Sequence, residues 1–423
     1  MSAYTIGYVG MTHLGLNSAV AAADKGYETV CFDPNHVLIA KLSLHELPIV
    51  EPDLPKLLEK NSGRIRFTAD VNQLSLCDVV YIAPDVPTNE NGQSDLSRID
   101  TLFSQVEPVL SPYTVIVILS QVPPGFTRAR LRTGRLLHYQ VETLIFGRAM
   151  ERACFPERFI VGCAEPSEPL PPAFANFLQS FGCPILPMRY ESAELAKISI
   201  NMCLVASIGV ANTMSELCEQ TGADWSEIVP ALKLDQRIGP FSYLSAGLGI
   251  AGGNLERDLA TVCNFADQYG TDAGVVRAWM ANSHHRRDWA LRTLYREILS
   301  RMDEPVIAVL GLAYKQDTHS TKNSPSIALL EYLKPFSVRV FDPEVPASAA
   351  PNPQRHDSKS ELEACEGADV LVVMTPWQQF AKLDPTEIAQ RLRGKLVLDP
   401  YAILSAAACR VAGLNYLTLG VQP

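Results

Sequence analysis

Two stretches of this chain combine residue types and spacings suited to chemistry. The first is Lys197-Ile-Ser-Ile-Asn201. Residues four apart share one face of a helix, so Lys197 and Asn201 can bring one cation and one amide to one ligand oxygen. The second runs from Ala246 to Asp258 (A-G-L-G-I-A-G-G-N-L-E-R-D), with glycines at 247, 249, 252 and 253. Four glycines let a backbone wrap closely around a ligand, and the run leads into a helix whose first N–H groups favour an anion. Each stretch also has a plainer reading. Amphipathic helices carry solvated lysines, and an acid such as Asp258 suits a first helical turn through the macrodipole.

A third stretch, Val9-Gly-Met-Thr-His-Leu-Gly15, lies between an apolar strand and an alanine-rich helix. It fits G-x-G-x-x-G, a dinucleotide pattern, with Gly10 and Gly15 in place and Thr12 at the middle glycine. A threonine puts a branched side chain where backbone normally approaches the pyrophosphate. Asp33 follows 18 residues after Gly15, at the end of the second strand. An acid there hydrogen-bonds ribose hydroxyls and repels a 2′-phosphate, which favours NAD over NADP. A domain of this shape with its pocket put to another use is the alternative.

The elements that must position these residues are legible as alternation. Strands are expected at Thr5–Val9, Thr29–Asp33, Val79–Ala83 and Val115–Leu119, with amphipathic helices between them. Helix is expected from about Tyr190 to Gly222 and again from about Leu255 to Leu299. A second α/β unit opens at Pro305–Gly311 and continues with Val338–Asp342, Val370–Met374 and Leu396–Asp399; residues 343–353 form a proline-rich loop. The expectation is an α/β protein with two Rossmann-like doubly wound domains joined by a central helical region. The boundaries are 1–188, 189–300 and 301–423.

Composition narrows the function classes. The 423 residues are 47% hydrophobic and 19% charged, which suits packed domains and argues against disorder. Net charge is −10 and no basic run stands out, so nucleic acid is not an expected partner. None of the ten cysteines forms a C-x-x-C pair, which leaves no zinc or redox motif. The chain enters a strand at Tyr4 without a signal-like segment, and no apolar run reads as membrane-spanning. Cytoplasmic location with reduced thiols is the expectation.

Taken in order, the motifs resemble the UDP-glucose/GDP-mannose dehydrogenase family, from about residue 4 to about residue 420. The segment 246–258 is similar to the family's active-site loop, P-G-x-G-F-G-G-S-C-F-x-K-D. Pro48-Ile-Val-Glu-Pro52 and Gly92-Gln-Ser-Asp-Leu-Ser97 resemble P-I-x-E-P and G-x-x-D-L-S. Ser120-Gln-Val-Pro-Pro-Gly-Phe-Thr127 resembles S-T-V-P-P-G-T-T, with Gln121 for the threonine near the nicotinamide. Ala193–Asn201 resembles A-E-L-x-K-x-x-x-N, which implies that Lys197 and Asn201 belong to the catalytic set with Asp258. The family's P-E-R glutamate aligns by spacing with Glu142, preferred over Glu157; Phe146 stands where a second glutamate is common.

The resemblance also implies a nucleotide-sugar site. Asp235-Gln-Arg237-Ile-Gly239 resembles D-x-R-I-G, whose arginine contacts the sugar nucleotide. Gly311-Leu-Ala-Tyr314-Lys315 resembles G-x-A-F-K, where an aromatic and a lysine suit stacking with phosphate contact. Gly249 and Gly252 belong to the substrate loop. Lys322 replaces the arginine of R-x-S-P beside the cofactor, and Tyr401 replaces a sugar-directed arginine. NAD, a nucleotide-sugar substrate, a homodimer and a role in polysaccharide biosynthesis follow as expectations.

The departure with most consequence is Asn254, which falls on the family's nucleophilic cysteine. An amide forms no thiohemiacetal or thioester. Cys263 lies nine residues on, two and a half helical turns away, and reads as core. Three courses stay open from sequence: one hydride transfer ending at an aldehyde or ketone, oxidation of a hydrated aldehyde without covalent capture, or loss of dehydrogenase activity. A redox-neutral epimerase holding NAD and a non-catalytic sugar-nucleotide binder are the corresponding alternatives.

Overall fold

The computed structural model describes residues 4–87, 89 and 94–422. Gly92 and Gln93 of the G-x-x-D-L-S element lie outside the described residues. The chain divides into two compact units, residues 1–200 and 201–423.

The first unit is built on an eight-stranded sheet ordered β3-β2-β1-β4-β5-β6-β7-β8. Its strands are β1 (Thr5–Val9), β2 (Glu28–Phe32), β3 (Ile65–Thr68), β4 (Val79–Ile82), β5 (Val115–Ile118), β6 (Leu136–Gln140), β7 (Phe159–Cys163) and β8 (Ile185–Arg189). All neighbours run parallel except β6 and β7. β4 and β5 are buried along their whole length, as a sheet covered on both faces requires. Each buried Val or Ile there contributes about 1.5–3 kcal/mol. Helices α1 (His13–Asp24) and α2 (Ser97–Val106) follow β1 and β4. Because the order reverses between β1 and β4, the loops after these two strands flank a crevice at the carboxyl edge, where open α/β sheets bind ligands.

Helix α3 (Tyr190–Thr221) runs for 32 residues, as the uninterrupted apolar periodicity predicts. This helix departs from the expectation that no run is membrane-spanning. By length and composition this helix is long and apolar enough to cross a membrane. Polar residues such as Glu191, Glu194, Lys197 and Asn201 interrupt the apolar run near its start. Only 28% of its most apolar stretch is buried, and Leu195, Val210, Met214 and Leu217 are exposed.

The second unit continues with α4 (Trp225–Leu234), α5 (Asn254–Tyr269) and α6 (Gly274–Arg287). The region expected as one helical stretch breaks at Gly270, whose left-handed φ of +68° ends α5. A six-stranded, all-parallel sheet follows, ordered β11-β10-β9-β12-β13-β14. Its strands are β9 (Val306–Leu310), β10 (Ser337–Phe341), β11 (Arg355–Asp357), β12 (Val370–Val373), β13 (Leu396–Leu398) and β14 (Asn415–Leu417). Its order reverses between β9 and β12, which repeats the crevice of the first unit and puts Gly311–Lys315 at its edge.

Both sheets use one local device. Asp33, just past β2, accepts a hydrogen bond from Met11 N at 2.9 Å, and Asp342, just past β10, accepts from Leu312 N at 2.6 Å. Each acid thus ties the second strand's end to the residue after a left-handed glycine, Gly10 (φ +92°) or Gly311 (φ +96°). A Cβ on Gly311 would lie 2.5 Å from Thr375, so only glycine lets the β9 and β12 loops meet.

Candidate active site

The Gly10–Gly15 loop of the first unit is assembled tightly. A Cβ on Gly10 would lie 2.9 Å from the backbone of Pro84, and one on Gly15 would lie 2.0 Å from the carbonyl oxygen of Gly10. Thr12 is the N-cap of α1, yet its side chain makes no capping bond. Its hydroxyl instead accepts from Asp85 N at 2.8 Å and points back to Ala83 O at 3.5 Å. The N–H groups of His13 and Leu14 at the α1 N-terminus both donate to the Asp85 carboxylate, at 3.0 and 3.3 Å. The cradle therefore fits an anionic group, and here a carboxylate sits in the place that suits a pyrophosphate.

Asp33 is fully buried and accepts from Met11 N, from Asn35 N at 3.0 Å and from the Arg98 guanidinium at 3.1 Å. Its carboxylate is engaged by the protein on both oxygens. On the other side of the loop His13 Nε2 meets Glu51 at 2.9 Å, and Glu51 accepts from Gly147 N and Ala149 N. Phe146 stacks on the His13 ring with centroids 4.1 Å apart.

Lys197 and Glu142 are brought together within this unit. Lys197 Nζ is 3.4 Å from Glu142 Oε2, and the two side chains are only 13% and 17% exposed. Glu142 also accepts from Leu144 N, which holds its carboxylate in place. The other candidate, Glu157, is exposed and paired with Arg152 and Arg158. One turn before Lys197, the buried Glu194 accepts from Gly125 N at 2.6 Å and Thr127 N at 2.8 Å. Burial raises the Glu194 pKa, which these hydrogen bonds oppose. Glu194 thereby fastens the 120–127 loop, with half-buried Gln121, to α3.

In the second unit Asn201 Nδ2 donates to Asp258 Oδ2, and Arg257 Nε lies 3.3 Å from Asp258 Oδ1. Asp258 is 1% exposed. Asn254 is the first residue of α5 and is exposed. Cys263, on the same helix, packs with the core around Val205, Leu259 and Val276. Two of the glycines before α5, Gly249 and Gly252, are sterically required. A Cβ on Gly249 (φ +77°) would lie 2.4 Å from Ser283 O, and one on Gly252 (φ +85°) would lie 2.8 Å from the Tyr314 ring.

The glycine loop is tied to the loop after β9. Gly252 N donates to Lys322 O at 3.1 Å, and Asn323 Nδ2 donates to Gly252 O at 2.8 Å. Tyr314 is half-buried against this junction, and Lys315 Nζ is 5.9 Å from its ring centre. The Lys322 side chain is exposed. Arg237 is also exposed, at 88%, and its guanidinium is held by Asp235 at 2.6 Å.

Reading motifs alone passes over three groups. Asp85 and Arg98 lie in the loop and helix after β4, so an acid at a switch-point strand end is the signal that points to Asp85. Glu256, in the first turn of α5, is pushed up to about 7 by burial, against the pull of Lys322 and Arg287. No spacing rule reveals that; it follows from packing.

Comparison with known proteins places the chain. Models of the UDP-glucose/GDP-mannose dehydrogenase family match in order: its NAD binding domain over residues 4–170, its central domain over 191–284 and its UDP binding domain over 308–406. UDP-glucose 6-dehydrogenase of Pseudomonas aeruginosa is 31% identical over 441 residues, covering 98% of this chain and 96% of its own. That of Rickettsia typhi is 29% identical over 430 residues, covering 98% and 99%. The fold matches the UDP-glucose dehydrogenase structure from Pyrobaculum islandicum with a TM-score of 0.84 at 24% identity, covering 96% of each chain. With its cofactor domain, helical centre and nucleotide domain all in sequence, the chain belongs to the UDP-glucose/GDP-mannose dehydrogenase family, as an NAD-dependent dehydrogenase-like oxidoreductase.

Proposed function

We propose that this protein oxidises a UDP-linked sugar by one hydride transfer and releases a carbonyl product, because Asn254 stands where its family has a nucleophilic cysteine. The observation that carries the reading is the enclosed Lys197–Glu142 pair. NAD, when bound, supplies the hydride acceptor. Glu142 Oε2 takes the proton of the sugar hydroxyl, and Lys197 Nζ holds the oxygen as it gains negative charge. Asn201 and Asp258, paired within the second unit, are the sugar-orienting residues of this reading. The Asn254 amide offers the product oxygen a hydrogen bond and no covalent bond. With Cys263 turned into the core, the 246–263 segment brings no thiol to hold an aldehyde for a second oxidation.

Tyr314 and Lys315 stack on and neutralise the nucleotide, with Gly249 and Gly252 giving its backbone room; Arg237 joins them once released from Asp235. Gly10, Thr12, Gly15, Asp33 and Gln121 of the first unit are assigned to the cofactor in this reading, as is Lys322 of the second. The division 1–188, 189–300 and 301–423 is the functional one in this reading. A homodimer, formed on the stripe Val210, Met214 and Leu217 of α3, covers the apolar face that the chain itself leaves exposed. Cytoplasmic location and free thiols complete the picture.

The test is incubation of the purified protein with NAD and a panel of UDP- and GDP-sugars, following NADH and the mass of the sugar product. One NADH per sugar and a loss of two hydrogens is the expected result. Two NADH per sugar with a carboxylate product overturns the single-oxidation reading, and no NADH with any sugar overturns the dehydrogenase reading for those substrates.

A further inference from the structure

The N-terminus of α1 carries a carboxylate of the protein's own. Asp85 Oδ2 accepts from His13 N at 3.0 Å and Asp85 Oδ1 accepts from Leu14 N at 3.3 Å. These are among the first N–H groups of a 12-residue helix, which have no partner inside the helix. They also lie at the β1/β4 switch point, where a Rossmann-type sheet receives its dinucleotide. The Asp85 position is pinned. Its own N–H donates to Thr12 Oγ1, so the residue that departs from the glycine pattern is the one that fastens the loop bearing the acid. A glycine at 12 has no hydroxyl and makes no such tie.

We infer that Asp85 is an intramolecular competitor for the pyrophosphate of the dinucleotide, held in place by Thr12, and that its carboxylate must leave the His13 and Leu14 N–H groups before cofactor binds. The physical basis is single occupancy. Two helix-terminal N–H groups cannot serve a carboxylate and a phosphate oxygen together, and a carboxylate left beside a pyrophosphate repels it. The adenine end of the cofactor is untouched by this conflict. Asp85 therefore weakens ligands in proportion to their phosphate charge, and not ligands in general. The inference rests on the NAD reading of this site.

The test compares the full-length protein with Asp85→Asn and Asp85→Ser by titration with NADH fluorescence, and with ADP and adenosine by calorimetry. Both replacements are short, polar and neutral: they remove the repulsion of the pyrophosphate and leave at most a weak neutral acceptor, which a phosphate displaces more easily than a carboxylate. Loss of the charge should tighten NADH and ADP by about threefold to thirtyfold, as relief of one charge contact at a helix terminus predicts, and leave adenosine unchanged. Thr12→Gly should tighten NADH and ADP in the same direction by freeing the loop. Equal or weaker NADH and ADP binding in the folded variants overturns the inference, as does an equal gain for adenosine. Should one variant not fold, the other carries the comparison. Turnover with a UDP-sugar alongside unchanged ADP binding would sink only this inference and leave the proposed oxidation standing.

Discussion

Lys197 Nζ faces a carboxylate oxygen of Glu142 at 3.4 Å, with both side chains withdrawn from solvent. The pair joins the long helix to the loop after β6 inside one unit. In the proposed oxidation it acts as one device. Lys197→Met should lower kcat by about 10²–10⁴ while NADH binding is kept. Glu142→Gln should cost a similar amount, and the double variant little more than either single one, because the two residues act on one oxygen and its proton. Losses that multiply in the double variant would show that the residues act separately.

Asn254→Cys restores a thiol to the exposed first residue of α5. A helix N-terminus lowers a thiol's pKa, so this cysteine should react with iodoacetamide faster than the buried native thiols. In the proposed reading it also moves the product from carbonyl toward carboxylate and NADH per sugar from one toward two. Mass spectrometry of the alkylated protein and of the sugar product reads both effects.

Asp258 sits almost fully buried between Asn201 and Arg257. Asp258→Asn keeps the size and removes the charge opposite a buried guanidinium. It should destabilise the protein by about 3 kcal/mol, measured as a shift in the urea midpoint at constant slope. An unchanged midpoint would mean that Arg257 does not depend on Asp258.

Glu256 contributes a pH dependence whose sign is fixed by its raised pKa of about 7, caused first by burial. Between about pH 4.5 and pH 7 the unfolded chain ionises this carboxyl and the folded protein keeps it protonated. Stability from this group is therefore full below pH 4.5 and is lost as pH rises through 7. Because the carboxyl is only half-buried, screening discounts the effect: Glu256→Gln should raise Tm at pH 8 by the equivalent of about 1–2 kcal/mol and leave it unchanged at pH 4. Equal effects at both pH values would remove the carboxyl as the cause.

Three glycines of one loop should respond differently to alanine. Gly249→Ala drives a Cβ to 2.4 Å from Ser283 O at a left-handed φ, and Gly252→Ala drives one to 2.8 Å from Tyr314. Gly247 has open space around it. Thermal melts should show losses of about 2 kcal/mol or more for the first, less for the second if the ring shifts, and little for Gly247→Ala. Gly252→Ala should in addition weaken UDP binding, because its Cβ contacts the ring proposed to stack on the nucleotide.

The sequence by itself determined the strands, the long helix and the family. Continuous apolar runs such as Val-Val-Tyr-Ile at 79–82 allow only a sheet buried on both faces, and glycines at 10, 15, 249 and 252 mark close approaches that any other residue blocks. Helical period put Lys197 and Asn201 on one face, and the resemblance to the family's motifs pointed to Glu142 and Asp258. What only tertiary structure decided is who meets whom across the fold. Asp85 on the α1 N-terminus, Arg98 on Asp33, Arg237 held by Asp235 and the raised pKa of Glu256 depend on loops that converge at a switch point or on packing around one side chain. Such contacts join residues far apart in the chain, and no periodicity records them, because hydrogen bonding and desolvation act on positions in space.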